Sequence, residues 1–268
     1  MKFELVIDSR STEVVIALLK EGRLIELHKQ KHDNNYSVGD IYLGKVKKIV
    51  PGLNAAFVGV GHKKDGFLHY LDLGAQVNSF KKFTEKTKTS KLNTASLKNF
   101  RNEKDTQKDG KIVETLKSGE HLMVQVSKEP ISSKGPRLTT ELSFAGRYMV
   151  MIPFSDRVSI SQKIKSNEEK SRLKKLIHSI KPKGFGVIIR TVAEGKKVAD
   201  LDKDLKNLYK KWQTIYKKLK TANLNERIHC ELNRSSAILR DLLNSEFSKI
   251  HVNNVDLHLE LKEYLSRI

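Results

Sequence analysis

A single cysteine, Cys230, stands in a chain of 268 residues. One thiol cannot close an internal disulfide, and it excludes a cysteine-based zinc site built from this chain alone. Long apolar runs are equally scarce. None approaches the ~20 residues of a membrane-spanning helix. The opening MKFELVIDSRSTEVVIALL breaks its apolar residues with acidic and polar ones, unlike a secretory signal. These absences imply a cytoplasmic chain with no membrane partner. Acid is in deficit: 31 Asp and Glu face 51 Lys and Arg, a formal net charge of +20. A surplus of that size calls for a polyanionic partner, with nucleic acid ahead of an acidic membrane surface.

Catalytic signatures are lacking too. There is no H-E-x-x-H and no G-x-S-x-G. AEGKK is not a phosphate-binding loop: Arg190 occupies the position of the required first glycine, and no Ser or Thr follows the lysine. DLDKD (Asp200, Asp202, Asp204) opens like a calcium loop, but Leu205 replaces the glycine and Lys211 the closing glutamate. It lies in a helical leucine stripe and reads as a solvated helix face.

Present instead are short strands. KFELVID, EVVIALL and EGRLIELHKQ alternate or run apolar between turns at SRST and Glu21-Gly22. From Val38 to Tyr70, DIYLGKVKKIV, LNAAFVGVG and DGFLHY are closely spaced with glycines at the bends, which predicts a small barrel. EHLMVQVSKEP adds a strand that closes it, with Leu122, Val124 and Val126, or the alternate set, facing its core. Residues 78–111, rich in Lys, Thr, Ser and Asn, read as a long surface insertion, partly mobile. Beyond it come a strand at Tyr148–Ile152, a helix over EEKSRLKKLIHSI and a strand in GFGVIIR. Next is a helix over 198–220, with Leu201, Leu205, Leu208 and Trp212 as its stripe. The tail alternates helix (SSAILRDLLN), strand (KIHVNN) and helix (DLHLELKEYLSRI). The class is α+β with an embedded all-β barrel.

Two constellations stand out. Read with period two, Ala56, Val58, Val60 and Leu68 face the barrel core, which turns Phe57 and Phe67 outward. Outward aromatics beside Lys45, Lys47, Lys63, Lys64, Lys128 and Lys134 suit stacked bases and a tracked phosphate backbone. The competing reading is that one phenylalanine completes the barrel core or packs on the next domain. Further along, GVIIRT sets the Arg190 guanidinium and the Thr191 hydroxyl together at a strand end, a pair suited to a phosphate. The competing reading is a structural ion pair.

These residues carry a resemblance. The whole chain resembles the N-terminal half of the ribonuclease E/G family of bacterial endoribonucleases. The most specific stretches are IYLGKVKKIVPGLNAAFVGVGHKKDGFLHY, KGPRLTTELSFAGRYMVMIP and KPKGFGVIIRTVAEGK. The wording most resembles the version found in the Bacteroidetes group. The resemblance implies a ribonuclease-H-like subdomain from residues 1–37 and 216–268. It implies an inserted OB-fold RNA-binding barrel at 38–138 and a 5′-sensor subdomain at 139–215. Phe57, Phe67 and Lys134 match the barrel's RNA-contacting residues. Gly146, Val150, Arg190 and Thr191 match the sensor, with Arg190 and Thr191 gripping the 5′-monophosphate.

The implied parent is a Mg-dependent, homo-oligomeric endoribonuclease that cuts single-stranded, 5′-monophosphorylated RNA in RNA processing and decay. Its paired magnesium-binding aspartates, and the cysteine motif that shares a zinc between subunits, are expected beyond Ile268. This chain alone is therefore expected to hold no catalytic or metal-binding residue and to bind without cleaving. Gln162 and Lys163 depart from the family's pattern, standing where better-known members carry two arginines. Without the family, the alternative is a general single-stranded RNA-binding or ribosome-associated protein with no nuclease activity.

Overall fold

A computed structural model describes residues 2–31, 36–231, 237, 239–241 and 246–267. The chain divides into two compact units, residues 1–35 with 232–268 and residues 36–231. In the first, β1 (Phe3–Ser9), β2 (Glu13–Lys20) and β3 (Arg23–Lys31) form an antiparallel meander. Glu21 and Gly22, both at positive φ, make its second turn. Leu5 faces Leu18 and Ile7 faces Ile16 across the first pair, and all four are buried. This is the period-two pattern of a sheet with one covered face.

The second unit opens with the barrel. β4 (Ile41–Val50), β5 (Ala55–Gly59), β6 (Gly66–His69), β7 (His121–Lys128) and β8 (Arg137–Thr139) are ordered β4-β5-β6-β8-β7, and β7 pairs back to β4. Closure by five strands leaves this barrel no free edge, as in an OB-fold. Its interior holds Val46, Ala56, Val58, Val60, Leu68, Leu122, Val124, Val126 and Leu138, all buried. The expected inward set is therefore the observed one. The opposite faces of β4 and β7 are covered as well, with Ile41, Leu43 and Met123 packed into a second core.

That second core is built around a sheet of β9 (Phe144–Ala145), β10 (Met149–Pro153), β11 (Val158–Ile160) and β12 (Phe185–Ile189), ordered β11-β12-β10-β9. Residues 78–111 also contribute to it, contrary to their reading as a surface insertion. Helix α1 (Val77–Lys88) buries Phe80 and Phe83, and the coil after it buries Leu97. The apolar residues are few, but every one of Phe80, Phe83, Leu92, Leu97 and Phe100 is drawn inward. A short α2 (Ile112–Thr115) seals the barrel with Ile112. The lysines of the segment face outward around these anchors, which is why its composition looks like that of a loop.

Helices α3 (Asn167–Ile180) and α4 (Val198–Thr221) cover the sheet. Ser166 caps α3 by accepting from the Glu169 amide at 3.2 Å. The α4 stripe of Leu201, Leu205, Leu208 and Trp212 is fully buried, and it continues through Ile215, Tyr216 and Leu219. Residue 216, the expected start of a separate subdomain, thus lies inside a helix packed in this unit; the two units part at 231/232. β13 (Arg227–His229) adds to the outside of β4, where Arg227 pairs with the buried Asp40 at 3.1 Å. In the first unit, β14 (Phe247–Val252) lies parallel beside β1, and α5 (Val255–Arg267) follows. The helix expected over SSAILRDLLN falls largely outside the described residues. Among those described, no helix is long and apolar enough to cross a membrane.

Candidate nucleic-acid interface

Strand register sets the outer face of the barrel. Lys48 on β4 is opposite Phe57 on β5, Phe57 opposite Phe67 on β6, Phe67 beside Arg137 on β8, and Arg137 opposite Lys128 on β7. Residues directly opposite one another share a face of a sheet. The five strands therefore line up a row of cation, two aromatics and two cations. Phe57 and Phe67 are half-buried, with ring centroids 5.9 Å apart at an interplanar angle of 66°. The His69 ring lies 6.4 Å beyond Phe67. Arg137 is held by a fork-to-fork pair with Asp72, at 2.9 and 3.2 Å. That pair fixes the guanidinium beside the aromatic edge.

The other expected lysines gather around this row. Lys45 is exposed on the same outward face, opposite Gly59. Lys63 and Lys64 are exposed in the β5–β6 turn, and Lys134 is exposed in the β7–β8 loop. The two loops touch: a side chain on Gly135 would meet the Asp65 carbonyl at 2.1 Å, so only glycine allows the approach. Lys47 is committed to an ion pair with Asp65 at 2.6 Å and lies across Gly59. Sequence reasoning missed Lys48 and Arg137. The β-bulge at Lys47 shifts Lys48 into register with Phe57 and could not be placed from the sequence, while Arg137 reaches Phe67 only through the parallel β6–β8 pairing.

The second constellation forms where β12 ends. The Arg190 amide donates to the Tyr148 carbonyl at 2.8 Å, and its Nη1 donates to the Gly146 carbonyl at 2.9 Å. The Thr191 and Ser161 hydroxyls are 2.9 Å apart. Gln162 and Lys163 follow Ser161 with exposed side chains. Val150, half-exposed, is opposite Ile188 on one side and Ala145 on the other. Arg190 and Gly146 are thus in direct contact, with Thr191 and Val150 on the adjoining strand ends.

Two acids hold backbone that lies close in sequence to these residues, at Gly195 and at Arg147–Tyr148. Glu169 on α3 takes both Arg172 donors at 2.6 Å and the Gly195 amide at 2.8 Å. The Arg172 hydrogen bonds, then the Gly195 amide, hold the Glu169 carboxyl down at about 2. Its folded value is depressed, so its stabilisation is present above the ordinary 4.5 and is lost as pH falls toward about 2. Glu169→Gln should flatten that acid limb of the stability curve. Urea unfolding between pH 2 and 6, followed by the fluorescence of the sole tryptophan, Trp212, tests it. An unchanged acid limb would show that the pair contributes nothing.

The second acid, Asp204 on α4, corrects an expectation. It is not part of a solvated face, because its carboxylate accepts from the backbone amides of Arg147 at 3.2 Å and Tyr148 at 2.8 Å, and also from Met149. Burial pulls its carboxyl up, and those amides act in the opposite direction.

The chain is similar to known proteins over nearly all of its length. The family model described as "Ribonuclease E/G family" matches residues 143–268. Ribonuclease G of Escherichia coli K12 is 33% identical over 99% of this chain and 50% of its own length. Ribonuclease G of Haemophilus influenzae is 31% identical over 97% of this chain and 49% of its own length. Ribonuclease E of a Nostoc species is 33% identical over 94% of this chain and 32% of its own length. The chain thus spans about half the length of the ribonuclease G relatives it matches. With the barrel, the sheet carrying Arg190 and this similarity along nearly all of its length, the chain belongs to the ribonuclease E/G family.

Proposed function

We propose that this chain is the RNA-binding and 5′-monophosphate-sensing portion of an endoribonuclease that cleaves single-stranded RNA in RNA processing and decay. The barrel row centred on Phe57 and Phe67 stacks unpaired bases. Lys45, Lys63, Lys64, Lys128 and Lys134 follow the phosphate backbone. Arg190 and Thr191 grip the terminal phosphate, and the Gly146–Val150 strand end supports the first nucleotide.

The observation that carries the reading is the juxtaposition of Arg190 with Gly146. A chain separation of 44 residues closes into one contact of 2.9 Å at the end of an apolar strand. The result is a guanidinium and a hydroxyl set together on a rigid edge, where a terminal phosphate offers several oxygens and up to about two charges. A 5′-hydroxyl end offers neither.

Among the described residues no group of three or more His, Cys, Asp or Glu could hold a metal ion. The described residues thus offer no ligand set of that size for the magnesium or the shared zinc that the resemblance implies. The Mg-dependent hydrolysis and the homo-oligomeric assembly are proposed for the whole protein, with no step placed on these side chains.

Arg190→Ala should remove the preference for 5′-monophosphate over 5′-hydroxyl RNA while preserving the salt-dependent affinity set by the lysines. Dissociation constants for both RNA ends on both proteins, at one salt concentration, decide it. Equal affinity for the two ends on the unsubstituted chain refutes the sensor role.

A further inference from the structure

We propose that Asp204 is the positioning residue of the 5′-phosphate site. By accepting the amides of residues 147–149, it fixes the turn whose Gly146 carbonyl orients Arg190. The inference rests on the sensor reading above and adds to it a residue outside the matched motif.

The geometry runs in one connected line. Asp204 projects from α4 onto the hairpin between β9 and β10, where successive amides converge on its carboxylate. The Gly146 amide closes the same hairpin by donating to the Met149 carbonyl at 2.8 Å. A methyl group on Gly146 would lie 2.6 and 2.7 Å from the two Asp204 oxygens, so acid and turn approach as closely as a bare Cα allows. The Gly146 carbonyl accepts from Arg190 Nη1. Both polar groups of Gly146 are therefore assigned, its amide to the hairpin and its carbonyl to Arg190, while its open Cα face lies against Asp204.

The ionisation of the acid is opposed by its burial. The folded carboxyl is pulled up from its ordinary 3.8 by burial, so the folded state holds the proton more tightly than the unfolded chain. Stability then falls as pH rises from that ordinary value through the raised one. What the carboxylate supplies in return is direction. It can only accept, and it presents two oxygens to converging N–H groups, whereas an asparagine of the same shape would turn an NH₂ toward one of those donors.

The test uses the full chain with Asp204→Asn, Arg190→Ala and the double variant. Each is measured against a short single-stranded RNA bearing a 5′-monophosphate or a 5′-hydroxyl, with urea unfolding in parallel. Asp204→Asn is expected to bring the ratio of the two affinities toward unity while 5′-hydroxyl affinity is unchanged. The double variant is expected to bind 5′-monophosphate RNA no more weakly than Arg190→Ala, because Asp204 acts through Arg190. Should Asp204→Asn fail to fold, Asp204→Glu, which keeps the charge and displaces it by one methylene, takes its place with the same expectation.

A retained ratio in a folded variant, or equal loss of affinity for both RNA ends, overturns the proposal. So does additivity of the two substitutions. An unsubstituted chain without any end preference refutes the sensor reading itself, an outcome distinct from a preference that survives at Asp204.

Discussion

Phe57→Ala combined with Phe67→Ala should leave the barrel folded and should remove most of the proposed affinity for single-stranded RNA. Each stacked base is worth about 1–3 kcal/mol, a factor of roughly 5 to 150 per ring. The rings touch each other, so the double loss will fall short of the sum. The fold survives because the interior is filled from the opposite faces of the same strands, by Ala56, Val58 and Leu68. Salt dependence separates this effect from charge. The slope of log affinity against log salt should hold in the aromatic variants, whereas Lys128→Ala should lower it by about 0.7, the single-strand value for one phosphate contact. Affinity measured at four salt concentrations checks both. If the double variant loses its urea transition and its RNA affinity together, the rings were packing residues.

Trp212→Ala should cost about 3–5 kcal/mol of stability, since the tryptophan is fully buried. The ring lies 4.9 Å from Phe83, 5.8 Å from Phe185, 6.0 Å from Phe154 and 6.1 Å from Phe144, centroid to centroid. Its Nε1 also donates to the Ala95 carbonyl at 2.7 Å, and the substitution leaves that acceptor stranded in the core. Against a typical domain stability of about 5–15 kcal/mol, that is between a fifth and all of the stability of the unit of residues 36–231. Denaturation followed by far-ultraviolet circular dichroism measures it, since the substitution removes the fluorophore. A loss below about 1 kcal/mol would show that the core closes over the gap.

What could be read from the sequence divides by the range of the interaction. The inward set of the barrel was legible because Ala56, Val58 and Val60 alternate within one strand, a pattern that needs no partner to be recognised. The stripe of α4 was legible for the same reason, in a different period. Residues 78–111 were not. Phe83 and Leu97 are isolated among lysines, and the aromatic cluster that receives them includes Trp212, more than a hundred positions away. Arg190 and Thr191 could be singled out as neighbours at a strand end, but the Gly146 contact is long-range and appears only with the β10–β12 pairing. Asp204 was misread on local grounds: aspartates alternating along a helix look solvated until the hairpin they face is known.

The double covering of β4 and β7 has a consequence for dissection. One side of these strands is the barrel interior, and the other, through Ile41, Leu43 and Met123, belongs to the core of the neighbouring sheet. An excised segment 38–138 would expose that second side together with Phe80 and Phe83, an apolar wall with nothing against it. Such a fragment should self-associate, and one ending after α4 should stay monodisperse. Cutting at the seam between a nucleic-acid module and its neighbour is a common strategy, but here the seam runs through the middle of two strands.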